Sequence, residues 1–167
     1  ATSEEVEQSL NALGLSIEKV PFIDNAYILE GVAFETLGIL MKSELYTQGK
    51  IYVQNLSSMI PPLLLDPKPD EKVLDIAAAP GSKTTQMAAM MQNTGEIVAN
   101  DLSQIRIYKL NANLKGQGVS NTRTIRMPGQ ILWRKYPEYF DRSLVDVPCS
   151  LEGTMQCDNP KSYEQWS

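Results

Sequence analysis

The chain has 167 residues, 43% of them hydrophobic and 21% charged, with a net charge of −5 and no histidine. That length suits one domain with its own core plus a small N-terminal extension, and the charge balance speaks against a nucleic-acid binder that uses its whole surface. Without histidine, a Ser-His-Asp triad, a Cys-His dyad and a histidine general base are excluded within the chain, and two cysteines without Cys-x-x-Cys spacing suggest neither a zinc site nor a disulfide framework.

In chain order, Thr2-Ser3-Glu4-Glu5 reads as a capping box, with Val6, Leu10 and Leu13 following at helical spacing and Gly14 ending the helix. Residues 20–45 carry a mixed pattern that fixes no element. A short helix is expected over 54–60, stopped by Pro61-Pro62, and the stretch 66–70, rich in Asp and Pro, is a connector. From Lys72 the pattern sharpens. Strands are expected over 73–76, 96–100, 122–126 and 143–147, with helices over 83–91 and 103–114 between the first three. Such alternation means right-handed crossovers and an α/β fold with a parallel, doubly wound sheet.

No apolar run approaches the roughly 20 residues of a membrane span, and the first ten residues are polar and acidic, so no secretory signal is expected and a cytoplasmic location is. The first residue is Ala1 and the last Ser167, as in a piece of a longer protein. Between Leu102 and Lys135 there is no acidic residue, whereas Arg106, Lys109, Lys115, Arg123, Arg126, Arg134 and Lys135 are basic. A phosphate-tracking surface and ordinary solvated charges both account for that stretch.

In parallel sheets ligands bind beyond the carboxyl ends of the strands, and the distinctive loops fall there. Ala77, Ala78, Ala79, Pro80, Gly81, Ser82 and Lys83 follow the first strand. Their small side chains let a ligand approach the backbone, and the helix that follows offers free N–H groups. The loop is neither a phosphate-binding P-loop nor a three-glycine dinucleotide fingerprint, and a tight strand-to-helix turn is its plain structural reading. Asp101 ends the second strand, where an acid suits the hydroxyls of a ribose or simply caps the next helix. After the fourth strand, Asp146-Val147-Pro148-Cys149-Ser150 presents a cysteine at the same edge, whereas Cys157 has no such placement and reads as a small buried hydrophobe.

Together, residues 73–85, Asp101 with Arg106, and residues 146–154 resemble the Sun/nucleolar-protein family of S-adenosylmethionine-dependent RNA (cytosine-5) methyltransferases. Tyr52-Val53-Gln54-Asn55-Leu56-Ser57-Ser58 resembles the stretch that leads into that family's catalytic domain. The resemblance covers residues 49–167 and rests on an Ala-Ala-Pro-Gly-x-Lys loop combined with Asp-x-Pro-Cys-Ser. It implies a Rossmann-like methyltransferase domain over 49–167, with residues 1–48 binding RNA or packing on the core.

The resemblance also implies transfer of a methyl group from S-adenosylmethionine to carbon 5 of a cytosine in ribosomal or transfer RNA, without a metal. In the family a cysteine thiolate adds to carbon 6 so that carbon 5 can attack the methyl group. By the same match, residues 77–83 hold the methionine and adenosine portions and Asp101 the ribose, while Arg106 supports the cofactor side of its helix. Asp146 lies near the methyl group and target base, and Cys149 assists release of the product.

The chain departs from the family pattern in three ways. The Thr-Cys motif that holds the family's nucleophile is absent after Asp146, as are the later strands, so a sheet truncated after its fourth strand is expected. Met127-Pro128-Gly129-Gln130 stands where Asp-Gly-Arg is usual, and Leu151 and Ser82 stand where glycine is common. The competing readings are a non-catalytic RNA- or cofactor-binding module and a small-molecule methyltransferase. A half-sheet with an unpaired edge is expected to aggregate or to be completed by a partner or by more chain.

Overall fold

The computed structural model describes residues 2–31 and 34–147. Helix α1 (Ser3–Ala12) opens the chain with the expected capping box between Thr2 and Glu5. The unassigned stretch resolves into an antiparallel pair, β1 (Ile17–Lys19) and β2 (Tyr27–Leu29), followed by helices α2 (Phe34–Lys42) and α3 (Glu44–Thr47). Val6, Leu10, Leu15, Leu40 and Leu45 close one apolar cluster over these elements. Strands of three residues are too short to show an alternation in sequence, which is why the pattern there was silent.

Helix α4 (Leu56–Leu65) corrects the expectation that Pro61-Pro62 would stop it: both prolines lie inside the helix. They leave the carbonyls of Ser57 and Ser58 without their usual intrahelical donors. Burial offsets that loss. Pro62 is fully buried, and Leu56, Met59, Ile60 and Leu63 pack on Val20, Ile23 and Ala26. The helix ends instead at Asp66, which takes the left-handed conformation.

The remaining elements match the expected alternation: β3 (Lys72–Asp75), α5 (Ser82–Met90), β4 (Glu96–Asn100), α6 (Gln104–Gly116), β5 (Thr122–Ile125), a 3-10 turn (Gly129–Ile131), α7 (Leu132–Lys135) and β6 (Arg142–Leu144). The sheet is parallel in the order β5-β4-β3-β6. Alternating side chains divide it into two faces. Val73 and Ile97 meet Met87 and Ala88 of α5 and its C-cap Met91, and Ala99 meets Leu110 and Leu114 of α6. On the other face Leu74 and Val98 meet Leu132 of α7 with Tyr136 and Phe140. Helices therefore cover both faces, as the doubly wound reading required. The chain leaves β3 toward β4 on one side and returns to β6 on the other. That reversal opens a crevice at the carboxyl ends of β3 and β6.

The N-terminal elements reach this unit through α6. Gln117 Nε2 donates to the Ile51 carbonyl at 3.1 Å. Gly49, at φ +66°, passes so close to Gly116 that a side chain there would overlap the Gly116 carbonyl oxygen.

Candidate cofactor site at the sheet edge

The loop after β3 is held from several sides. Ile76 N–H donates to the Leu144 carbonyl at 3.1 Å and Ala78 N–H to the Asn100 carbonyl at 2.7 Å. Ala78 and Ala79 are buried against α6, Asn113 Nδ2 donates to the Pro80 carbonyl at 2.8 Å, and the Arg106 guanidinium donates to the Ala79 carbonyl. The Ala79–Pro80 bond is cis. Gly81 caps α5 at φ +111°, a conformation that favours glycine, and a Cβ there would sit 2.9 Å from Leu110 Cδ1. Ser82 begins α5, where its carbonyl accepts the Thr85 hydroxyl at 2.9 Å.

Beneath the loop lies Asp75, at the end of β3 and almost wholly buried. Its carboxylate accepts the Thr84 hydroxyl at 2.7 Å. Burial pushes its pKa up to about 6, opposed by the Thr84 bond and by the nearby Lys83 charge. Lys83 reaches across the crevice to Asp146, Nζ to Oδ2 at 2.7 Å. This pair ties the start of α5 to the segment after β6, so Lys83 and Asp146 do meet. Cys149, with Pro148 and Ser150, lies outside the described residues.

Asp101 sits at the end of β4, 3% exposed. Its Oδ1 accepts the Ser103 N–H at 2.9 Å, and the Ser103 hydroxyl caps α6. The cap that sequence offered as an alternative role for Asp101 thus belongs to Ser103. Asp101 Oδ2 lies 3.3 Å from Arg106 Nη1, yet among the described residues it accepts no hydrogen bond. A buried carboxylate oxygen in that state fits a ligand that brings a donor, such as a ribose hydroxyl. Arg106, whose side chain is exposed, stands beside it and donates to the Ala79 carbonyl. The small Ala77–Ala79 side chains and this unfilled acceptor together fit S-adenosylmethionine.

The far wall of the cleft is Met127, Pro128 and Gly129 after β5. Pro128 precedes the 3-10 turn as its N-cap at φ −59°, and Gly129 packs against the Ile76 side chain. One residue that sequence reasoning passed over joins the two walls. Asn100, 2% exposed, donates from Nδ2 to the carbonyls of Ile76 and Met127 and accepts the Met127 N–H on Oδ1. The available signal was a carboxamide closing the apolar run Ile97-Val98-Ala99 immediately before Asp101.

The basic stretch divides. Arg123 pairs with Glu96 at 2.9 Å and Arg126 donates to the Leu102 carbonyl at 3.0 Å, so these serve the fold. Lys109, Lys115, Arg134 and Lys135 are exposed. Among the described residues no helix is long and apolar enough to cross a membrane.

Comparison with known proteins agrees with this geometry. The chain is 38% identical to the ribosomal RNA small subunit methyltransferase F of Citrobacter koseri, over 92% of this chain and 32% of that protein. It is 40% identical to the protein of that name from Pectobacterium carotovorum, again over 92% and 32%. It thus spans about a third of the length of these curated relatives. Among solved structures, a methyltransferase homologue from Pyrococcus horikoshii superposes with a TM-score of 0.78 at 34% identity, covering 89% of this chain and 47% of that one. NSun6 from Pyrococcus horikoshii, solved with SFG, gives 0.58 at 38% identity, over 65% and 28%. The fold is therefore that of a Rossmann-like methyltransferase. The family model described as 16S rRNA methyltransferase RsmB/F matches residues 62–162, more than half of the chain, and the chain belongs to that family.

Proposed function

We propose that this chain is the S-adenosylmethionine-binding part of an RNA methyltransferase that modifies carbon 5 of a cytosine in structured ribosomal RNA. The observation that carries the reading is a convergence. The small-residue loop, the buried Asp101 with its unfilled oxygen, and the Lys83–Asp146 pair meet at the carboxyl edge where the sheet reverses. The family description and the names of the curated relatives support an rRNA substrate, and the SFG held by NSun6, an S-adenosylmethionine analogue, supports the cofactor.

When bound, S-adenosylmethionine supplies an electrophilic methyl group on a sulfonium. Residues Ala77, Ala78 and Ala79 admit it against the backbone, and Gly81, Ser82 and Lys83 at the start of α5 receive its carboxylate. Asp101 accepts a hydrogen bond from the ribose, with Arg106 beside it. Asp146 lies toward the reacting methyl group and target base, oriented by Lys83. Cys149 serves release of the methylated RNA. Residues 1–48 form an N-terminal segment that binds RNA or packs on the methyltransferase domain of residues 49–167. An rRNA substrate also puts the activity in the cytoplasm.

Incubation of the full-length protein with S-adenosylmethionine and small-subunit rRNA, followed by mass spectrometry of the nucleosides, tests the reading. It predicts 5-methylcytidine in the rRNA. Methylation at another base position would overturn the cytosine assignment, and methylation of transfer RNA alone would overturn the substrate.

A further inference from the structure

We infer that Asn100 is a positioning residue that sets the width of the cofactor cleft, an inference that rests on the proposed cofactor site. The two walls of that cleft, the loop after β3 and the loop after β5, lie on opposite sides of β4 and are far apart in sequence. Asn100 stands between them at the end of β4. Its Nδ2 donates to the Ile76 carbonyl at 3.0 Å and to the Met127 carbonyl at 2.9 Å, and its Oδ1 accepts the Met127 N–H at 2.9 Å. Its own carbonyl accepts the Ala78 N–H at 2.7 Å.

Two carbonyls and one N–H around a single side chain fix the orientation of the amide. They also demand two donors and one acceptor, which no other side chain of that size supplies. Because the residue is buried, water cannot replace a lost partner. An aspartate of the same shape would set a carboxylate oxygen in place of Nδ2, facing both carbonyls, and push the walls apart. The neighbouring Asp101 and the Ala77–Ala79 backbone would then no longer face one ligand together.

The test is calorimetric titration of S-adenosylmethionine into the full-length protein and three variants. Asn100→Asp is the isosteric break, Asn100→Ser is an uncharged second break should the first fail to fold, and Ile97→Val is a control. Ile97 is buried on the same strand but packs on Val73, Met87, Ala88 and Met91, in a cluster that holds no residue of either loop. Each Asn100 variant that folds is expected to bind at least about tenfold more weakly, whereas Ile97→Val loses thermal stability and keeps its affinity. Equal affinity in wild type and a folded Asn100 variant overturns the positioning role and leaves the cofactor site standing. An affinity loss in Ile97→Val that tracks its melting temperature as closely as in the Asn100 variants reduces Asn100 to a structural residue. A wild-type protein that does not bind removes the cofactor site, and this inference with it.

Discussion

The two sides of the crevice are built differently. The loop after β3 is anchored by Leu144, Asn100, Arg106 and Asn113, and its base is the buried Asp75–Thr84 pair. Across from it, Val145, Asp146 and Val147 are exposed, and the Lys83–Asp146 ion pair is what links Asp146 to the other side. The side proposed to hold the cofactor is therefore preorganised by the core of this chain, whereas the side proposed to face the target base is held lightly. A site in which one ligand docks into a rigid wall and the second is gripped by a looser one separates cofactor affinity from turnover.

Substitutions that weaken the anchored wall should have the largest effects. Met87 of α5 is fully buried against Val73 and Ile97, so Met87→Ala is expected to lower unfolding stability by about 2–5 kcal/mol in urea titration. A loss well below that range would mean the wall is less tightly supported than its burial implies.

Asp75 gives the next effect, and its sign is specific. Burial raises its pKa to about 6, above the ordinary carboxylate value. Its protonated form thus contributes stability that is full below about pH 4 and lost as pH rises through about 6. Asp75→Asn keeps the Thr84 hydrogen bond without the charge. It should gain stability relative to wild type across that window, by on the order of 3 kcal/mol at most. Unfolding midpoints at pH 4, 5, 6 and 7 check this; a constant difference would contradict it.

Gly81→Ala follows. Its positive φ and the close Leu110 contact predict a loss of about 1–3 kcal/mol, together with weaker cofactor binding, since the loop must shift. The lightly held wall should respond least: Asp146→Asn removes a half-exposed ion pair and is expected to change stability by less than about 1 kcal/mol while lowering turnover. If Asp146→Asn destabilised the protein as much as Gly81→Ala does, the contrast between the walls would collapse.

What could be read from the sequence follows the same contrast. Strands β3 and β4 have apolar runs buried on both faces, and the loops that end them carry the small residues and the acid that mark a nucleotide edge. Those positions follow from local pattern. Asn100 and Asp75 were present in the same strings, but their importance arises from partners that sequence does not put beside them, such as Met127 across the sheet from Asn100. Helix α4 misled for a related reason. Local rules end a helix at Pro61-Pro62, and only tertiary burial of Pro62 and its neighbours keeps it going. The N-terminal β1–β2 pair was silent because three-residue strands carry no period.

The central claim is that the carboxyl edge of this sheet holds S-adenosylmethionine, with Asp101 on its ribose. Calorimetric titration of S-adenosylmethionine into the protein beside an Asp101→Ala variant of equal thermal stability tests it most directly. The account predicts binding by the wild type that the variant loses. Equal binding by both would take the cofactor away from Asp101, and no binding by either would contradict the site itself.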